Sequence, residues 1–343
     1  MSTNLLLPQA TLRGHLEGVS ALQFWNDNRY LVSGDYSGKL KLWNINERVP
    51  SWTDEKTHPN TAIMEVYPSP FALESFYSQD KKGLVVQWKC FAGDLVVTSR
   101  SKDTVHLEAS QKFQVGYSGI SRSSMFHNLL AVARSMPTDS LAIYDVSTSG
   151  SLEKPIMSFA YNETVRCGFC TLVGFLNEQV VMTLHEDGSI KLWSLSRQEM
   201  IQHLKFASYT LLSYDKYFHS THLKVLIGGT HKTLGLFEFD GQMLKEEECC
   251  PLKKGGIGDM TVRDDQRILA VAHWDNKVRL YEMANQLRQL ATLPHNNQSV
   301  HRIQYAPQDS LLACGTSDGR IYLWNIYPNN TQTNSPSSDV VAD

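Results

Sequence analysis

The chain has 343 residues, of which 42% are hydrophobic and 20% are charged, a balance typical of a folded globular protein. Its net charge of −3 provides no broad positive field for a phosphate backbone or an anionic membrane, so we expect no direct nucleic-acid partner. No apolar run approaches the roughly 18 residues of a membrane span, and Leu5–Leu7 is too short for a secretory signal; both features favour an intracellular protein without membrane contact.

In chain order, the first clear element pair is LVSGDYSGKLKLWN, from Leu31 to Asn44. It reads as an apolar strand, a turn, and a second alternating strand that ends in Trp43. The same arrangement recurs from Val180 to Ser194 and from Leu311 to Asn325. The sequence therefore predicts a repeated β-hairpin.

Weaker copies of this hairpin fill the gaps between the three clear ones. Each copy ends in an aromatic residue, and the seven aromatics are Trp43, Trp88, Tyr144, Trp193, Phe237, Tyr281 and Trp324. Their spacing is mostly near the period of about 40–45 residues that is typical of WD repeats, with four strands per blade. We therefore predict an all-β fold, a seven-bladed WD-repeat β-propeller over residues 1–328, with the aromatics wedged between neighbouring blades.

The two ends of the chain predict how the ring closes. A strand-like segment, Gln9–Arg13, precedes the first hairpin, whereas Pro328 follows the last one and leaves no fourth strand there. We expect the N-terminal strand to complete the final blade and cover its open edge. The polar segment Asn329–Asp343 is predicted to be a disordered tail.

Polar residues recur near the hairpin turns. An aspartate stands six residues before the aromatic in three repeats, at Asp187, Asp275 and Asp318. In WD repeats, such an aspartate and a histidine from the preceding loop form a structural brace, and His295 with Asp318 and Trp324 fits that pattern best. His15 follows a glycine as the repeat prefers, but Ser37 stands where its aspartate would be. Recurrence in several blades favours a structural role over a catalytic one.

Three other features receive a plain structural interpretation. The long second repeat places surplus residues between Phe91 and Gln114, as a hairpin or loop that either binds a partner or is inert. The C-x-x-C pair of Cys167 and Cys170 has no second pair at zinc-site spacing. The glycine-rich stretch from Lys253 to Asp259 lacks the order of a phosphate-binding loop and is predicted to be a loop into blade six. We therefore predict no enzyme activity, no catalytic residues, no metal site and no cofactor.

The sequence resembles one WD-repeat family, the ASTRA-associated proteins of fungi and their animal relatives, the guanine nucleotide-binding protein β-subunit-like proteins. The segments that carry the resemblance are Leu12–Asn44, Glu47–Trp52 with His58, Ile63–Val66, Gly256–Met283 and Gly319–Pro328. Within them, Arg263, Asp265, Trp274, Asp275 and Arg279 match the family pattern. The sequence departs from it at His273, where glycine is usual, and at Gln79–Asp80.

The resemblance implies a non-catalytic scaffold subunit of an ASTRA-like complex, located in the nucleus with a possible cytoplasmic pool. It implies roles in chromatin regulation and in maturation of phosphatidylinositol-3-kinase-like kinases. The implied protein partners are HEAT-repeat telomere-maintenance cochaperones, RuvB-like ATPases and a Tra-type pseudokinase. The alternative is a generic WD-repeat adaptor such as a ubiquitin-ligase substrate receptor. A G-protein β subunit is disfavoured because the propeller begins near residue 10, which leaves no room for its coiled-coil helix.

The best candidate for a partner contact is Trp274, in the turn between the second and third strands of blade six. Because Tyr281 already fills the wedge position of that blade, Trp274 either packs over a neighbouring blade or projects towards a partner. Tryptophan and arginine are common in interface hot spots. The nearby Arg263 and Arg279 are therefore candidates for a polar rim, with solvated strand ends as the alternative.

Overall fold

The computed structural model describes residues 7–69, 72, 74–90, 105–116, 119–134, 140–147, 154–160, 167–284, 287–294 and 298–328. These residues form twenty-eight strands in seven four-stranded antiparallel sheets. No helix occurs among them, and so none that could cross a membrane. The structure confirms the predicted seven-bladed propeller.

In blades one to six the strands run from innermost to outermost in chain order, whereas the outermost strand of blade seven is the N-terminal strand of the chain. The strands of blades one to three are β2 Val19–Trp25, β3 Tyr30–Asp35, β4 Leu40–Asn44, β5 Val49–Asp54, β6 Ile63–Pro68, β7 Ser75–Asp80, β8 Leu84–Cys90, β9 Leu107–Gln114, β10 Ser124–Phe126, β11 Leu129–Arg134, β12 Ser140–Asp145 and β13 Met157–Ala160. Those of blades four and five are β14 Cys170–Phe175, β15 Val180–His185, β16 Ser189–Ser194, β17 Glu199–Lys205, β18 Leu211–His219, β19 His222–Gly229, β20 Thr233–Phe239 and β21 Leu244–Pro251. Those of blades six and seven are β22 Ile257–Val262, β23 Ile268–His273, β24 Lys277–Glu282, β25 Arg288–Leu293, β26 Val300–Tyr305, β27 Leu311–Thr316, β28 Arg320–Asn325 and the N-terminal β1, Ala10–Arg13.

The N-terminal strand closes the ring as predicted. β1 pairs antiparallel with β28, from Ala10 opposite Leu323 to Arg13 opposite Arg320. Leu12 on β1 is buried in the cluster between blades seven and one. The chain therefore fastens its last blade with its own first strand, and the edge of β28 is covered.

Seven apolar clusters hold neighbouring blades together. Each cluster spans one blade-to-blade boundary and contains the third-strand aromatic of one of the two blades. All seven aromatics are buried, as the sequence predicted. Burial of these large rings against the next sheet supplies apolar area that a single blade cannot bury alone.

Two predicted segments are described in part or not at all. Of the stretch predicted to hold surplus residues, 91–104 lies outside the described residues, and Leu107–Gln114 is β9, the outer strand of blade two. The tail from 329 to 343 also lies outside them.

Candidate functional site at the mouth of the channel

Blade one contains a buried polar brace that links its loop to its third strand. His15 Nδ1 lies 2.8 Å from Asp35 Oδ2, and His15 Nε2 lies 2.7 Å from Ser33 Oγ. The Trp43 indole N–H donates to Ser33 Oγ at 2.8 Å. Because the indole only donates and a carboxylate only accepts, Ser33 Oγ accepts from Trp43, and the His15 Nδ1–H donates to Asp35. The brace therefore fixes the entry loop of blade one.

Blade two repeats the brace with the same residue types. His58 lies 3.0 Å from Asp80 Oδ2 and 2.8 Å from Ser78 Oγ, and Trp88 donates to Ser78 at 2.8 Å.

In the blade-one brace, burial raises the pKa of Asp35, but hydrogen bonds from His15 and Ser37 outweigh this effect, and the pKa lies below its usual value. The buried carboxylate therefore stays ionised, as the brace requires.

The brace role predicted for Asp187 and Asp275 is wrong. The three aspartates six residues before the aromatics bind neighbours in their own turns: Asp187 accepts from Ser189, Asp275 from Arg279 and Asp318 from Thr316. The true brace aspartates lie eight residues before the tryptophan, at the end of the second strand. Ser37, which appeared to replace an aspartate, instead donates to Asp35.

The brace predicted for His295, Asp318 and Trp324 stays a prediction, because the structure does not describe His295. The Trp324 indole nitrogen is buried without a hydrogen-bond partner among the described residues. The residue at the position of the blade-one serine is Cys314, and a thiol is a weak acceptor.

Two further blades use histidine where the brace has aspartate. In blade four, Trp193 donates to Thr183 at 3.0 Å, and Thr183 lies 3.1 Å from His185 Nε2. In blade six, His273 Nε2 lies 3.0 Å from the Tyr281 hydroxyl. Burial lowers the pKa of His185 and of His273 to about 4, so both are neutral at physiological pH. His273, a departure from the family pattern, is thus a buried structural residue.

The central channel holds a network of buried charges on the innermost strands. Arg122 Nη1 lies 3.0 Å from Asp259 Oδ1, and Arg122 Nη2 donates to the Leu212 carbonyl at 2.7 Å. Arg302 pairs with Glu65 and lies 4.0 Å from Asp259. Carboxylates and guanidiniums from four blades therefore meet at the axis and hold these blades in a fixed arrangement.

Burial controls the protonation of these carboxyl groups. It raises the pKa of Glu65 to about 8, although the Arg122 guanidinium acts in the opposite direction. It also raises the pKa of Asp215 to about 6 and that of Asp259 above its usual value. Burial therefore favours the protonated form of Glu65, while its contact with Arg302 joins blades two and seven.

One end of the channel opens into a cavity of about 540 Å³, which we call the mouth. The mouth is formed by the starts of the innermost strands and by turns between second and third strands. It is lined by Ser20, Tyr36, Ile63, Met64, Ile120, Arg122, Thr171, Leu212, Gly258, His273, Trp274, Ser299, Val300, His301 and Arg302. Tyr36, Ile120 and Trp274 are exposed, and the Tyr36 ring meets His301 edge-on with 5.4 Å between centroids. The mouth thus presents apolar and aromatic groups above the charged floor of the channel.

Trp274 is 58% exposed, which excludes burial over the adjacent blade. Its backbone N–H donates to the Gly256 carbonyl at 3.0 Å, which holds the turn against the loop that enters blade six. An exposed tryptophan at the rim of a cavity has the geometry of a contact residue. Its role in partner binding stays a prediction.

The prediction that Arg263 and Arg279 form an exposed rim is wrong. Arg263 is buried, binds Asp265 through two nitrogens and donates to the Ile326 carbonyl at 2.5 Å. Arg279 is also buried and makes two hydrogen bonds to Asp275, of 2.8 and 2.6 Å. Arg279 holds the turn of blade six, and Arg263 joins blade six to the segment that follows β28.

Sequence reasoning missed the braces of blades one and two and the charged channel floor. The braces do have a signal, since Ser33–Asp35 and Ser78–Asp80 are the same S-x-D pattern at a fixed distance from the tryptophan. The charged channel floor has a weaker sequence signal: single charged residues, such as Asp259, interrupt innermost strands that are otherwise mostly apolar.

The described residues contain no group of three or more His, Cys, Asp or Glu residues that could hold a metal ion. The thiol of Cys167 is buried, and that of Cys170 is partly buried. The residues that line the mouth provide aromatic rings, aliphatic side chains and hydrogen-bond donors, which are groups suited to contact with another molecule.

The fold and its repeats define the class of this protein as a WD-repeat β-propeller. The model of the WD domain, G-beta repeat, matches residues 7–44 and 287–325, which include three strands of blade one and all four strands of blade seven. Among solved structures, the β-propeller domain of Cps50 (Swd1) from Myceliophteria thermophila superposes with a TM-score of 0.68 at 13% identity. The superposition covers 94% of this chain and 99% of that one.

Within this class, the chain resembles the ASTRA-associated proteins. It is 21% identical to ASTRA-associated protein 1 of Aspergillus flavus over 93% of this chain and 97% of the relative. It is 23% identical to the Schizosaccharomyces japonicus protein of that name, over 93% of this chain and 99% of the relative. It is also 32% identical to the mouse guanine nucleotide-binding protein subunit beta-like protein 1, over 42% of this chain and only 43% of that relative.

Proposed function

We propose that this chain is a non-catalytic scaffold subunit of an ASTRA-like complex that binds other proteins through the mouth. The observation that carries the proposal is the similarity to ASTRA-associated protein 1 over nearly the full length of both chains. The mouth supports it, because a rigid ring with exposed aromatic and aliphatic groups at one end is suited to docking.

The proposed partners are those implied by the resemblance: HEAT-repeat telomere-maintenance cochaperones, RuvB-like ATPases and a Tra-type pseudokinase. With them, the chain would act in the maturation and stability of phosphatidylinositol-3-kinase-like kinases and in chromatin regulation. We propose a nuclear location with a cytoplasmic pool. The buried charge network supports a scaffold role, because its paired groups fix the blades that carry the mouth.

Affinity purification at native expression level, read by mass spectrometry, tests this function. The proposal expects recovery of the HEAT-repeat cochaperones together with the RuvB-like ATPases. Recovery of cullin–adaptor proteins in their place would instead assign the chain to the ubiquitin-ligase substrate receptors.

A further inference from the structure

A basic loop lies beside Trp274 at the rim of the mouth. Lys253 and Lys254 belong to the glycine-rich loop between β21 and β22, and Lys232 belongs to the turn between β19 and β20. The Leu252 N–H donates to the Lys232 carbonyl at 2.8 Å, so the loop is fixed against this turn. All three lysines are exposed. We call Lys232, Lys253, Lys254 and Trp274 the basic strip.

Gly256 determines how the tryptophan sits on this strip. Its φ is +72°, and a Cβ atom at this position would lie 2.6 Å from Trp274 Cγ. A glycine is therefore needed for the indole to lie against the loop. The glycine-rich sequence, which lacks the order of a phosphate-binding loop, thus serves to place an exposed aromatic ring beside lysines.

The positive charge of the strip is only partly compensated. Lys232 and Lys253 form no ion pair with another described residue. Asp275 lies within electrostatic range of Lys254, and both of its carboxylate oxygens accept from Arg279. Arg279, and at longer range Lys254, lower the pKa of Asp275.

We propose that the segment docking at the mouth is an acidic peptide with an apolar anchor residue. Its carboxylates contact the lysines of the basic strip, and its apolar side chain enters the mouth beside Trp274 and Ile120. The inference rests on the proposed docking function and names the chemistry of the partner. Charge complementarity of this kind raises association rates and selects partners, while the desolvated anchor provides most of the affinity.

A peptide fits these observations better than a nucleic acid does. Binding to a phosphate backbone relies on many cationic contacts, whereas the strip supplies three lysines on a chain of net charge −3. Tyr36 and Ile120 are exposed and line the same cavity as Trp274, so they add apolar surface that a peptide side chain can cover.

Fluorescence anisotropy with a labelled synthetic peptide tests the proposal on the full chain. The probe is a short peptide of aspartate and glutamate around a central leucine. We expect it to bind, to weaken as salt rises, and to weaken when the leucine is replaced by serine. The double substitution Lys253→Glu with Lys254→Glu is expected to weaken binding by about tenfold, since two favourable contacts become repulsive.

The control is Lys81→Glu with Lys82→Glu, an adjacent lysine pair in the turn between β7 and β8 of blade two, outside the residues that line the mouth. This pair should leave binding unchanged, and melting temperatures verify that both variants fold. The proposal is overturned if the acidic peptide does not bind, if both pairs weaken it equally, or if a lysine-rich peptide binds as tightly. Tighter binding of a single-stranded oligonucleotide would assign the strip to nucleic acid.

The peptide measurement is independent of the purification experiment. If cochaperones are recovered with the chain but the acidic peptide does not bind, the scaffold function stands and this inference is wrong. If the peptide binds but the cochaperones are not recovered with the chain, the proposed assembly is wrong, while the inferred preference for acidic peptides stands.

Discussion

Ser33 is the residue on which the blade-one brace converges, because its hydroxyl contacts both the indole of Trp43 and the ring of His15. Cys314 occupies the corresponding place in blade seven, where the Trp324 indole has no partner among the described residues. In both blades this residue lies ten positions before the tryptophan. The two sites form a natural pair for measuring what one buried hydroxyl contributes.

Ser33→Cys is expected to lower stability by about 2 kcal/mol, since two buried polar groups lose a strong partner. Cys314→Ser should not lower stability, because the new hydroxyl can accept from the Trp324 indole. Thermal unfolding of both variants beside the native protein measures the difference. Equal destabilisation by the two substitutions would show that the brace geometry is irrelevant to stability.

Glu65 makes the stability of the channel depend on pH. Because the folded protein raises its pKa from 4.5 to about 8, the folded state holds the proton more tightly than the unfolded state does. The stabilisation is therefore complete at low pH and is lost as the pH rises through this range. Arg122, Arg302 and Asp259 face the same group and remain in a Glu65→Gln variant.

Glu65→Gln removes this titration and keeps a neutral hydrogen-bonding side chain. Between pH values of about 5 and about 9, the melting temperature of the native protein is expected to fall relative to that of the variant. Circular dichroism melts at intervals across this range measure the gap. A gap that is constant with pH, or one that changes in the opposite direction, would contradict the account of Glu65.

At the scale of elements, β1 is the strand whose contribution is most easily isolated. It covers the edge of β28 along four paired residues and buries Leu12 between the first and last blades. Burial of one leucine stabilises by about 2 kcal/mol, and the backbone hydrogen bonds add to this. The uncovered edge of β28 would then be free to pair with other chains.

Deletion of residues 1–13 is expected to lower the melting temperature by at least about 5 °C and to promote aggregation. Deletion of 329–343 is the control, because its composition predicts no contribution to a core. Differential scanning calorimetry with light scattering follows both effects. An N-terminal deletion that melts like the intact chain would refute the role of β1 in closure.

The blades, their aromatics and the closing strand could be predicted from sequence because each follows from a local pattern that repeats. The position of the brace could not be predicted, because turn aspartates six residues before the aromatic occur in three repeats, whereas the brace aspartates, eight residues before it, occur in two. The burial of Arg263 could not be predicted, because this arginine donates to the Ile326 carbonyl, 63 residues away in sequence. The contact between Arg302 and Glu65 joins strands 237 residues apart, which no local pattern indicates.

At the scale of the whole molecule, the ring has two ends that differ in chemistry. The mouth lies where the innermost strands begin, and it carries Trp274 beside the basic strip. The opposite end lies where these strands end, and there Phe218 projects near the end of β18. Both side chains are 58% exposed, so they are a matched pair of surface residues at opposite ends.

Partner recovery from Trp274→Glu and Phe218→Glu variants, purified at native level, tests most directly whether the mouth is the docking face. Both substitutions place a charge at an exposed site, so both should leave the melting temperature nearly unchanged. The account predicts that Trp274→Glu loses its protein partners while Phe218→Glu retains them. Full recovery with Trp274→Glu, or loss with Phe218→Glu alone, would contradict it.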